Sequence, residues 1–96
     1  DAETGPQATD VQTLVEIAHD LRSSKGKVLI HCEAGISRST AAAFILYAYW
    51  LGPGREDEAM DLVLSQRPYA IPNRRMVELA DTLLKRDGRL LEALPY

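Results

Sequence analysis

The chain has a single cysteine, Cys32, and Arg38 follows it six positions on, within His31-Cys32-Glu33-Ala34-Gly35-Ile36-Ser37-Arg38-Ser39. These residue types suit attack by sulfur on a bound anion. A thiolate is a nucleophile and a thiol is not, so Cys32 needs a positive environment to react. Arg38 carries a planar fork of donors that matches two phosphate oxygens. Gly35 lets the backbone turn where a β-carbon would clash or φ must be positive. Ala34 and Ser37 are small enough to keep that backbone close to a ligand. His31 can orient the cysteine end of the loop through backbone carbonyls, and Ser39 can donate a hydrogen bond to the Cys32 sulfur.

Such a loop must be held between rigid elements. Before it, Val28-Leu29-Ile30-His31 reads as a short strand buried on both faces. After it, a helix is expected from about Arg38 to Leu51. A strand, a tight turn and a helix start aim free amide hydrogens into one concavity, and the helix dipole adds positive potential there. The same field would bind an anion and lower the pKa of Cys32. Upstream, Val11, Leu14, Val15, Ala18 and Leu21 follow helical spacing, with Thr9 or Asp10 as the cap and an end near Arg22. Gly52-Pro53-Gly54 stops the central helix. A third helix follows over Arg55–Gln66, with acidic residues in its first turn, where the dipole favours them. Residues Arg67 to Asn73 form a loop. Pro72 or Asn73 opens a fourth helix, which Gly88 ends, and Arg89 to Leu94 adds a last turn or two. Tyr47, Tyr49 and Trp50 are expected as packing residues, and His19 as a solvated one.

The stretch "HCEAGISRS" resembles the signature of cysteine-dependent protein tyrosine phosphatases, in wording closest to the dual-specificity branch and its small bacterial relatives. "RPYAIPN" followed by an amphipathic helix resembles a downstream stretch of that branch. The resemblance covers about Asp10 to Leu84, and Val28 to Thr40 is its specific part. It implies an α/β fold, a central parallel sheet flanked by helices. Only one strand is legible here, yet a strand buried on both faces needs neighbours for its backbone groups. Either a short strand hides in the loops or the missing strands precede Asp1. The second reading is preferred, which makes residues 1–96 one partial catalytic domain.

The resemblance also implies a two-step hydrolysis. Cys32 attacks phosphorus while Arg38 and the loop amides of Glu33, Ala34, Gly35, Ile36, Ser37 and Arg38 hold the phosphate oxygens. Water then releases phosphate from the phosphocysteine. No metal or other cofactor is implied, since the loop supplies the positive field. The family takes its general acid from an aspartate on a loop ahead of the preceding helix. Asp1 is the candidate, at a similar separation from Cys32. Its competing reading is a linker residue; Asp10 fits a helix cap better and Asp20 an exposed helix position. The expected substrate is a phosphotyrosine protein, with phosphoserine, phosphothreonine and other phosphomonoesters also open. The alternative is a catalytically impaired module that binds phosphorylated partners. A rhodanese-like or arsenate-reductase loop fits less well, because its length or glycine placement differs.

Composition excludes other classes. The formal net charge is −3, with no block of like charge. Nucleic acids and anionic membranes both call for a basic surface. One cysteine makes neither an internal disulfide nor a cysteine-rich zinc site. A free reactive thiol suits a reducing compartment, so a cytoplasmic location is expected. The longest apolar run, Ala41 to Leu51, is too short to span a bilayer.

Overall fold

The computed structural model describes residues 7–20 and 36–96, with side chains in the second segment described from Arg38 onward. The elements are α1 (Ala8–Asp20), α2 (Ile36–Leu51), α3 (Glu56–Gln66), α4 (Arg74–Leu84) and α5 (Arg89–Glu92). Among the described residues there is no strand. The expected strand at Val28 to His31 lies outside them, so the described part is helical and does not show the sheet of the expected α/β fold. No described helix is long and apolar enough to cross a membrane.

The central helix is α2, and its apolar character on every side has a structural reason: α1, α3 and α4 all pack against it. Ala41, Ala43, Phe44, Ile45, Tyr47 and Ala48 are buried, joined by Val11 of α1, Met60 and Val63 of α3, Val77 and Ala80 of α4, and Leu90 of α5. Fully burying a side chain such as Phe44 or Ile45 is worth about 1.5–3 kcal/mol.

Local chemistry sets the boundaries. Helix α1 starts slightly earlier than the Thr9/Asp10 cap reading. Asp10 Oδ2 accepts the Gln7 backbone N–H at 2.9 Å, the reach-back half of a capping box. The Gly52-Pro53-Gly54 stop is observed: Gly52 and Gly54 hold φ of +95° and +90°, conformations that cost an L-residue but not glycine. The four-residue link Gly52 to Arg55 lets α3 run back along α2, and Gln66 Nε2 donates to the Tyr47 hydroxyl at 3.2 Å. Asn73 caps α4, its side-chain oxygen accepting the Met76 N–H at 3.0 Å. That helix ends earlier than the Gly88 reading, at Leu84, where Lys85 takes the left-handed conformation, φ +56°.

Two polar joints fix the far end of the bundle. Arg86 is buried, donating to Glu56 Oε2 at 2.8 Å and to the Ala48 carbonyl at 3.0 Å. Asp81 is buried too, and accepts the Gly88 and Leu90 N–H groups at 2.8 and 3.1 Å, anchoring the start of α5. The α1 end is tied by Trp50 Nε1, which donates to the Ala18 carbonyl at 2.8 Å, one of the terminal carbonyls a helix cannot satisfy itself. Asp20 therefore lies towards the end of α2, while Ile36 begins it.

Candidate active site

The described part of the candidate site is the first turn of α2. This helix begins at Ile36, two residues ahead of the Arg38 start expected from the sequence. The earlier start puts Ile36, Ser37, Arg38 and Ser39 in the first turn, where four amide hydrogens have no intrahelical acceptor. Sixteen aligned residues place the positive end of the dipole at the same point.

The side chains there follow the same electrostatic sense. Arg38 is exposed, Ser39 is half-buried and Thr40 is fully buried. No acidic residue occupies the turn. This contrasts with α3, whose first turn carries Glu56, Asp57 and Glu58. Free amides, the dipole and the Arg38 guanidinium all add positive potential at one end of the central helix. An oxyanion or thiolate placed there is stabilised; a cation is not.

Of the expected site residues, Arg38 and Ser39 are described with their side chains, and Ile36 and Ser37 by their backbone. Asp1, His31, Cys32, Glu33, Ala34 and Gly35 lie outside the described residues. Two surface cavities are both remote from Arg38. One, of about 300 Å³, is lined by Gly54, Glu56, Asp57, Arg89 and Glu92. The other, of about 450 Å³, is lined by Leu51, Glu58, Asp61 and Leu62. Both lie by the opposite end of α2.

Several packing expectations gain detail. Tyr47 is buried and Trp50 half-buried. His19 is exposed, as expected, and also has a partner. Its Nδ1 and the Tyr49 hydroxyl lie 3.0 Å apart, with the rings edge to face. The pair sits thirty residues apart in sequence, beyond any local pattern. Glu56 is one of the acidic residues expected in the first turn of α3, and it is buried against Arg86. Burial pushes its carboxyl pKa up, but hydrogen bonds from its own amide, Arg86 and Gly54, with the Arg86 charge, bring it below the ordinary value. In contrast, the Arg55–Glu58 pair at 2.7 Å is exposed. The hydrogen bond and charge of Arg55 lower the Glu58 pKa.

Comparison with known proteins bears on what this helix start serves. A family model described as "Dual specificity phosphatase, catalytic domain" matches residues 1–82. The chain is 41% identical over 64 residues to mouse dual specificity protein phosphatase 2, covering 65% of this chain and 19% of that protein. It is 30% identical over 95 residues to human dual specificity protein phosphatase 5, covering 99% of this chain and 24% of that protein. A Dictyostelium discoideum MAP kinase phosphatase with leucine-rich repeats is 46% identical over 50 residues, covering 52% of this chain and 6% of that protein. The chain thus spans a quarter or less of each of these three relatives. No solved structure matches it.

Proposed function

This chain belongs to the dual specificity phosphatase catalytic-domain family, and from that premise we propose that it hydrolyses phosphotyrosine in proteins, with phosphoserine and phosphothreonine as further substrates, through a phosphocysteine. The observation that carries the reading is the junction of the motif with the fold. The run from His31 to Ser39 leads into the amide-rich, carboxylate-free start of the central helix, with Arg38 exposed in its first turn.

In the first step the Cys32 thiolate attacks phosphorus. The S–P bond forms as the P–O bond to the leaving group breaks, and Asp1 gives its proton to the departing oxygen. The Arg38 fork and the amides from Glu33 to Arg38 hold the other phosphate oxygens, which gather charge in the transition state. In the second step Asp1, now a carboxylate, takes a proton from water as water attacks phosphorus. The S–P bond breaks, Cys32 leaves as thiolate with a hydrogen bond from Ser39, and inorganic phosphate departs. His31 orients the cysteine end of the loop. The thiolate must stay unoxidised throughout, which fits a reducing compartment such as the cytoplasm.

The test is turnover of a small aryl phosphate with vanadate as inhibitor, in the wild-type chain and in Cys32→Ser. The reading expects vanadate-sensitive turnover that Cys32→Ser abolishes while oxyanion binding persists. Tight oxyanion binding without any wild-type turnover would instead identify a binding module.

A further inference from the structure

The link between α3 and α4 runs against the surface habits of the rest of the chain. The formal net charge is −3, yet Arg67 to Arg75, "RPYAIPNRR", holds three arginines and no carboxylate. Within it, Ala70 and Pro72 are buried, while Tyr69 and Ile71 are 95% and 65% exposed. The small side chains point in and the large apolar ones point out. Single exposed apolar residues are ordinary. A pair held two residues apart on a fixed backbone is less so.

The backbone is fixed from several directions. The Ala70 N–H donates to the Arg67 carbonyl at 2.9 Å, and Asn73 caps α4. The Tyr96 hydroxyl donates to the Pro72 carbonyl at 2.6 Å. Pro68 and Pro72 restrict φ. A surface pre-ordered in this way loses little entropy when a partner binds.

Arg74 and Arg75 follow as the first two residues of α4, both exposed, in a first turn without an acidic residue. The helix dipole disfavours cations there. Arg74 lies 3.4 Å from Glu78 in an exposed pair, and among the described residues Arg75 makes no ion pair. The i,i+4 pair offsets part of that cost for Arg74, whereas helix stability does not account for Arg75. Their place in the molecule is informative. Residues just past α4 are tied by Arg86 to the end of α2, and the eleven residues of α4 span about 16 Å. Its start, with Tyr69 and Ile71, thus lies away from that end. The end of α3 reaches back along α2 as far as Tyr47, through Gln66.

We propose that Tyr69, Ile71, Arg74 and Arg75 form a docking surface for an acidic peptide segment with an apolar side chain, adjoining the phosphorylated residue of a protein substrate. This rests on the phosphatase reading for the identity of the segment. Charge complementarity selects it: an arginine fork pairs with carboxylates, and the apolar pair offers contact to an aliphatic side chain. Two exposed cations on an acidic chain are too few for a polyanion.

Fluorescence anisotropy on the protein carrying this chain tests the surface. The probes are a labelled peptide with a non-hydrolysable phosphonate in place of phosphotyrosine, flanked by glutamate and leucine, and the same peptide with lysine for glutamate. The glutamate peptide binds at least about tenfold tighter at low salt, and salt erodes the advantage. Arg74→Glu with Arg75→Glu removes the preference. Tyr69→Ser with Ile71→Ser weakens the glutamate peptide at least about fivefold by loss of apolar contact. Unchanged helical circular dichroism and small aryl phosphate turnover show these variants to be folded. Equal wild-type affinity for both peptides overturns the proposal, as does a preference that survives the double charge reversal. Absent wild-type turnover alongside an intact glutamate preference would retire the phosphatase reading and leave the docking surface standing.

Discussion

At Arg38, local stability and the proposed chemistry pull in opposite directions. A cation in the first turn of a helix opposes the dipole, at a cost of about 0.3–1 kcal/mol, and Arg38 is exposed in the first turn of α2. A phosphoryl ligand reverses that balance, because amides, dipole and guanidinium then all face an anion. Arg38→Lys keeps the charge and loses the fork. It is expected to lower aryl phosphate kcat by about 10²–10³-fold, the range for loss of a donor to a developing oxyanion. Stopped or steady-state assays give that number, and turnover within about twofold of wild type would remove Arg38 from the site. Asp1 is tested through the leaving group. Asp1→Asn should slow an alkyl-like phosphate much more than a nitrophenyl one, since only the poor leaving group needs a proton. Equal slowing of both would disqualify Asp1 as the acid.

The elements were legible wherever a local signal sets the boundary. Periodicity located α1, the Gly52-Pro53-Gly54 run stopped α2, and Asn73 was readable as a helix start because its oxygen can accept a free amide. The Asn73–Met76 bond at 3.0 Å realises that cap. Asn73→Ala should cost about 1 kcal/mol in urea unfolding and Asn73→Asp much less; equal costs would mean that the cap bond is not what matters there. What could not be read depends on distant contacts. Arg86, between Lys85 and Asp87, looks like part of a solvated polar run. Only the approach of Glu56 and the Ala48 carbonyl, thirty and thirty-eight residues away, makes it a buried joint. Lys85 ends α4 in a left-handed turn that glycine usually takes, so Gly88 was the residue a sequence reading would choose. The expected sheet is not among the described residues, and a single expected strand states the need for partners without supplying them. In the candidate site the motif was legible by residue type and spacing. The exposed Tyr69–Ile71 pair was not, since apolar residues in a loop give no sign of which way they face.

Across the whole molecule, the Glu56–Arg86 pair joins the α2–α3 hairpin to the segment after α4, with both side chains almost wholly buried. Arg86→Met should destabilise by about 3–5 kcal/mol, because it strands the Glu56 carboxylate in the interior. Pairing Arg86→Met with Glu56→Leu should recover much of that loss, and no recovery would mean that shape rather than charge sets the cost. The pair also sets an acid limit. The folded Glu56 pKa lies below its ordinary value of 4.5. Its contribution is therefore complete above the unfolded pKa and drains as pH falls through the folded one. Urea midpoints measured from neutral pH down to about pH 3 should fall more steeply in wild type than in Glu56→Gln; parallel curves would contradict the assignment. At the end of the bundle where α2 begins, Cys32 is proposed to carry the phosphoryl group. Turnover of a small aryl phosphate by Cys32→Ser, set beside wild type, tests this most directly. The expected loss is at least about a thousandfold, with vanadate still bound; turnover by Cys32→Ser at a wild-type rate would remove Cys32 as the nucleophile.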